Sequence, residues 1–192
     1  MKQHFSVRKL ALLGMMAAVV YAGNFARITM PVAIAGRTSF TLGNIFCCLS
    51  GLLLGPAGGL ASGVGSALFD LLGDPRYASE FWITFLTKGA MGLCAALAVR
   101  RTLREDRLTY PGAVVGTVAG CAAYYVLYFA KSFFYDGLLL KSLAPTVAGA
   151  LLLEKVPASL FNAAVAILAA PPVTLAILQA LKRTHLDRLL RE

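Results

Sequence analysis

Lys88 stands inside the apolar run FWITFLTKGAMGLCAALAV, about two turns from its start. An ammonium at that depth in a membrane costs several kcal/mol unless it is paired or hydrated. Asn44, Asp70, Glu80, Tyr124, Tyr125, Tyr128 and Asn162 lie in or beside other apolar runs, and Trp82 heads the run that carries Lys88. Ionisable groups in such places face one another or a cavity. Amide, carboxylate, ammonium and phenol groups walled by aromatics suit a small polar molecule with a ring. Asn44, Asp70, Glu80, Trp82, Lys88, Tyr124, Tyr128 and Asn162 are therefore the candidate substrate-binding residues. Simpler roles stand beside that one. Asp70 or Glu80 pairs with Lys88 or Arg76, the tyrosines and Trp82 form an interfacial belt, and Asn162 bonds to a neighbouring helix.

The chemistry on offer is binding, not catalysis. The chain has no G-x-x-x-x-G-K-[ST], no H-E-x-x-H and no G-x-S-x-G, so the usual phosphate cradle, zinc site and nucleophile elbow are missing. Its two histidines, His4 and His185, sit in the terminal segments. Cys47, Cys48, Cys94 and Cys121 lie in apolar runs without C-x-x-C spacing and read as small hydrophobes. No catalytic residue, metal site or cofactor is expected.

The elements that must hold these groups follow from composition. Of 192 residues, 58% are hydrophobic and 14% charged, against about 25% charged in soluble domains, and the mean hydropathy is +0.73. This is the composition of an integral membrane protein. Spans need roughly 20 apolar residues, so five or six helices use nearly the whole chain. The expectation is an all-α, six-helix transmembrane bundle forming one domain over 1–192, with spans at about 10–28, 42–54, 56–72, 81–99, 111–130 and 157–181. The basic N-terminus ahead of an apolar run resembles a signal peptide, but five further apolar segments mark it as a retained span. A net charge of +9 reads as membrane orientation, not as a nucleic-acid surface.

The stretch from Thr41 to Asp74 organises the bundle. Gly51, Gly55, Gly59 and Gly63 recur every four residues, and Gly55-Pro56 divides two apolar runs. Glycine at helical spacing lets helices approach closely in lipid, while proline starts a helix better than it continues one. A tight helical hairpin with both polar ends on one side is expected. Gly14, Ala18, Ala22 and Ala26 make a second small-residue stripe, a docking face for another helix of the chain or for a partner. Residues 29–41 read as a loop, 73–80 as a turn, and 131–156 as a polar segment followed by a surface or re-entrant helix. Pro171-Pro172 is expected to bend the last span, and the tail to be helical.

Lysine and arginine fix orientation. Eleven of eighteen fall in the N-terminal segment, the 100–107 loop and the tail, which puts both termini in the cytoplasm of a multi-pass plasma-membrane protein. The candidate residues then gather in its outer half.

The stretch LGNIFCCLSGLLLGPAGGLASGVGSALFDLLGD, followed by EFWITFLTKGAMGL, resembles the substrate-binding membrane subunit, or S component, of energy-coupling factor (ECF) vitamin transporters. The resemblance rests on Gly-Asn after the first outer loop, L-L-x-G-P-x-x-G, a glycine-rich third span ending in aspartate, Lys-Gly-x-Met-Gly, the first-span stripe and Lys-Val-Pro before the last span. It implies a water-soluble vitamin or precursor bound near the outer surface, with no ATPase site in the chain itself. It also implies a transmembrane coupling subunit, two cytoplasmic ATPases, and toppling of the S component in the lipid. The family's A-x-x-x-A docking face maps onto Ala18 and Ala22, continued by Ala26. Asn44 stands where several members carry aspartate, which argues against a cationic substrate. The nearest sub-pattern is that of hydroxymethylpyrimidine and pyridoxine-type carriers, with riboflavin, folate, pantothenate and corrinoids open. The competing reading is a self-sufficient, gradient-driven small-solute transporter or channel.

Overall fold

The computed structural model describes residues 7–32, 36–102 and 108–184. Five α-helices are assigned there, not the six expected: α1 (Val7–Phe25), α2 (Gly43–Leu68), α3 (Phe81–Thr102), α4 (Tyr110–Ala130) and α5 (Pro145–Arg183). Two strands, β1 (Arg27–Val32) and β2 (Gly36–Thr41), stand between α1 and α2. Among the described residues, four stretches are long and apolar enough to cross a membrane: Gly43–Gly73, Pro75–Arg100, Tyr110–Leu140 and Pro145–Arg183.

The missing sixth helix is accounted for at Gly55. Helix assignment runs unbroken through α2, yet Gly55 has φ 67° and ψ −152°, a region open essentially to glycine alone. The chain reverses there. Cys47 Sγ lies 3.6 Å from Ser66 Oγ, whereas a straight helix would part them by roughly 28 Å. Ser50 Oγ also donates to Gly58 O across the bend (2.7 Å), satisfying a carbonyl at the turn. The two predicted spans at 42–54 and 56–72 are the antiparallel limbs of one element.

Both limbs lie against α3. Gly92 of α3 meets them where Gly51 and Gly59 come level, and a Cβ on Gly92 would stand 2.7 Å from Gly59 Cα. Ser62 Oγ adds a bond to Lys88 O (3.1 Å). Gly120 brings α4 equally close to α3, its Cβ position 2.6 Å from Met91 O. Such backbone contact gives dispersion and polar contacts where lipid gives no hydrophobic drive. Val20, Cys47, Cys48, Met91, Cys121, Ala166 and Ala170 form the buried core, with the cysteines packed as small apolar groups.

The structure replaces several expectations. The 29–41 loop is an antiparallel hairpin whose register runs from Arg27↔Thr41 to Val32↔Gly36. The 73–80 turn is a 3-10 helix, Pro75–Glu80, and Lys131–Leu140 continues α4 as π-helix. The surface or re-entrant helix is the first part of α5, which passes Pro157, Pro171 and Pro172 without a break in assignment. The stripe of Gly14, Ala18, Ala22 and Ala26 is exposed, and α1 packs on α2 through its other side, with Ala17 O against Gly65. The tail beyond Thr184, Lys2 near the N-terminus and residues 103–107 of the charged loop lie outside the described residues.

Candidate functional site

A cavity of about 510 Å³ opens between the hairpin and the helices. Helical spacing aims its lining side chains. Thr84, Thr87 and Lys88 share one face of α3, Tyr124 and Tyr128 are one turn apart on α4, and Lys155, Ser159 and Asn162 follow i, i+4, i+7 on α5, the repeat that keeps residues on one side of a helix. Seven of the eight predicted residues line it: Asn44, Asp70, Glu80, Lys88, Tyr124, Tyr128 and Asn162. Trp82 does not. It is 49% exposed, lines an apolar groove with Val64 and Phe85, and meets Tyr135 edge-on (6.4 Å).

Lys88 is 5% exposed. Its Nζ donates to Asn44 Oδ1 and stands 4.4 Å from the Tyr124 ring centroid, a cation–π contact strengthened by desolvation. Asn44 Nδ2 in turn donates to Tyr125 OH (3.4 Å). Tyr124 and Tyr128 stack at 5.8 Å with 20° between their planes. Together they present a flat aromatic wall beside a fixed ammonium and amide.

The carboxylates take other partners than those expected. Asp70 lies 3.9 Å from Arg27 and Asp74 3.6 Å from it, while Asp74 also binds Arg76 at 2.9 Å. Burial pushes the Asp74 carboxyl up, but hydrogen bonds from Arg76 and the charges of Arg76 and Arg27 outweigh it and hold the group below the usual carboxylate range. Glu80 accepts from Lys131 (2.7 Å), which bonds Asp136 at the same distance. Lys155, also buried, donates to Ser132 Oγ (2.7 Å) and Asp136 (3.3 Å) and lies over Tyr128 (5.3 Å).

Asn162 bonds neither a helix nor open space. Its Oδ1 accepts from Thr41 N (3.0 Å) and its Nδ2 donates to Ser39 O (2.8 Å), so α5 grips the hairpin edge. Asn24 anchors the same corner: it donates to Val20 O (2.9 Å) and accepts from Thr41 Oγ1 (3.5 Å).

Asn24, Arg27, Ser66, Lys131, Asp136, Lys155 and Ser159 also line the cavity and were not among the predicted residues. An amide in an apolar span was a legible signal for Asn24, and the spacing Lys155-Ser159-Asn162 was one for α5. Arg27 and Lys131 counted only as topological charges.

Two comparisons place the chain. It is 33% identical over 115 residues to a Pyrococcus woesei protein described as an uncharacterized protein in the gap 3' region, covering 58% of this chain and 74% of that one. Residues 4–180 match the model of the ECF-type riboflavin transporter, S component. With apolar helices long enough to cross a membrane and that match over nearly its full length, the chain belongs to the ECF-type riboflavin transporter S-component family, a family of membrane transporter components and not of enzymes.

Proposed function

We propose that this protein is the high-affinity binding subunit for a flat, ring-bearing vitamin of the riboflavin type, working in an ECF importer. The observation that carries the reading is the cavity wall formed by stacked Tyr124 and Tyr128 beside Lys88 and Asn44. Aromatic faces hold a planar ring while the few fixed polar groups set its orientation. The volume of about 510 Å³ falls in the range of roughly 300–1,000 Å³ usual for small-molecule sites. It leaves room for a ligand larger than a single pyrimidine or pyridine ring, and with the family match this favours riboflavin type over the hydroxymethylpyrimidine or pyridoxine type.

Asn44, Lys88, Tyr124 and Tyr128 contact the ligand in this reading. Asp70, Glu80 and Asn162 shape the chamber through Arg27, Lys131 and the hairpin. Trp82 takes no part. The exposed stripe of Ala18, Ala22 and Ala26 docks on the transmembrane coupling subunit, and ATP is hydrolysed by two cytoplasmic partners. The chain is one multi-pass domain of the plasma membrane with both termini cytoplasmic and the cavity facing out.

The test is native mass spectrometry of the detergent-purified protein, followed by titration of flavin fluorescence. A one-to-one flavin complex with quenched emission is expected. A retained pyrimidine or pyridoxine would reassign the vitamin, and a protein left empty by a full vitamin panel would overturn the reading.

A further inference from the structure

Four cationic side chains that line the cavity lie against carboxylates, and Lys88 beside them does not. Arg27 lies against Asp70 and Asp74, Arg76 against Asp74, Lys131 against Glu80 and Asp136, and Lys155 against Asp136. Lys88 has no carboxylate within 4 Å among the described residues, although it is 5% exposed and sits in a membrane-spanning helix. An ammonium has three N–H donors and no acceptor. Asn44 Oδ1 takes one of them, and the Tyr124 face supplies only a cation–π contact. A second donor on the same wall is also unmet: Arg27 Nε is buried without a hydrogen-bond partner.

We propose that the cavity takes an anionic ligand and seats a carboxylate or phosphate oxygen against Lys88 Nζ. The inference rests on the vitamin-binding reading above and narrows it: between a neutral vitamin and an acidic or phosphorylated counterpart, the site selects the anion. A neutral ligand would displace water and leave an enclosed cation without a counter-charge, a costly state in a low-dielectric setting. An oxyanion supplies the charge and the acceptors together, in the short charge-assisted bonds that ammonium groups make. The carboxylates around the cavity already meet Arg27, Arg76, Lys131 or Lys155, and Asp70 acts on Lys88 only from beyond 4 Å, so a ligand oxyanion would supply the direct contact that Lys88 lacks.

The experiment uses the full chain in detergent micelles and two matched pairs. Riboflavin against riboflavin 5'-phosphate tests a phosphate, and lumiflavin against its 10-carboxymethyl counterpart tests a carboxylate. In at least one pair the anion should bind about tenfold tighter or more, the scale of one charged hydrogen bond. That preference should vanish in Lys88→Gln and persist in Lys182→Gln, a change at an exposed position near the end of α5. Neutral members binding as tightly as anions in both pairs, or an anion preference that survives in Lys88→Gln, would overturn the proposal. Should Lys88→Gln not fold, the wild-type comparison decides. Riboflavin bound without anion preference removes this inference alone. No binding of any compound, with no vitamin retained on purification, removes the vitamin-binding reading as well.

Discussion

Asn162 holds Thr41 as a neighbouring strand would. Its side-chain amide accepts from the Thr41 N–H and donates to the Ser39 carbonyl, giving β2 an outer partner from a helix 121 residues further along the chain. Two-stranded ribbons are marginal by themselves, so this clasp is part of what keeps the hairpin over the cavity. Asn162→Ala should cost about 1–3 kcal/mol, the range for leaving buried groups unsatisfied. It should also speed ligand release and expose the hairpin to limited proteolysis. An unchanged off-rate with an intact hairpin would show that the clasp does not govern the cavity roof.

Gly55 should tolerate no side chain. Its φ of 67° with ψ −152° makes Gly55→Ala cost about 1–3 kcal/mol, although a Cβ would meet nothing within 4 Å. Gly149 is equally uncrowded but helical, and Gly149→Ala should stabilise by up to about 1 kcal/mol. Thermal melts in one detergent compare the two. Equal melting points would mean that backbone strain is not the reason for glycine at the bend.

Asp74 gives the pH dependence a definite sign. A carboxyl held below its ordinary value adds stability that is complete above the unfolded-state value of about 4 and is lost as pH falls through the lower folded value. The wild type should therefore melt above Asp74→Asn by a constant margin near neutrality. The margin should shrink below about pH 4. A margin that grew on acidification would contradict the Arg27–Asp74–Arg76 arrangement.

Ala22→Trp should separate binding from transport. Ala18 and Ala22 are exposed on α1, so bulk there leaves the cavity untouched. Vitamin affinity of the purified chain should stay within about twofold, the scale of an ordinary surface change, while uptake in cells carrying the ATPase module collapses. Intact uptake would move the docking face elsewhere.

Features set by local chemistry were legible in the sequence. Gly55-Pro56 marked the bend because few other residues permit such a backbone, and Lys88 marked the cavity because a cation within a span demands a reason. The hairpin was not legible. Pro31 and Gly36 read as breakers, and the pairing that overrides them draws on Asn162, which no local window contains. Pro157 likewise read as a helix start. It lies within α5 instead, where the helix continues through the residue whose missing N–H normally costs a bond. Trp82 is the converse case, lining an apolar groove and not the cavity. A large amphipathic ring at a span end suits either a pocket or an interface, and only the rotation of α3 decides between them.

Helix α1 bears on two settings at once. Ala22 stands on its exposed side and Ala26 just past its end is exposed too, while Asn24 in the helix and Arg27 at the start of β1 reach the cavity wall. Asn24 ties that helix to Thr41 and Ser66, and Arg27 ties its end to Asp70 and Asp74. The helix is thus a short lever: a push delivered at Ala22 has under one helical turn to travel before it loads the bonds that frame the chamber.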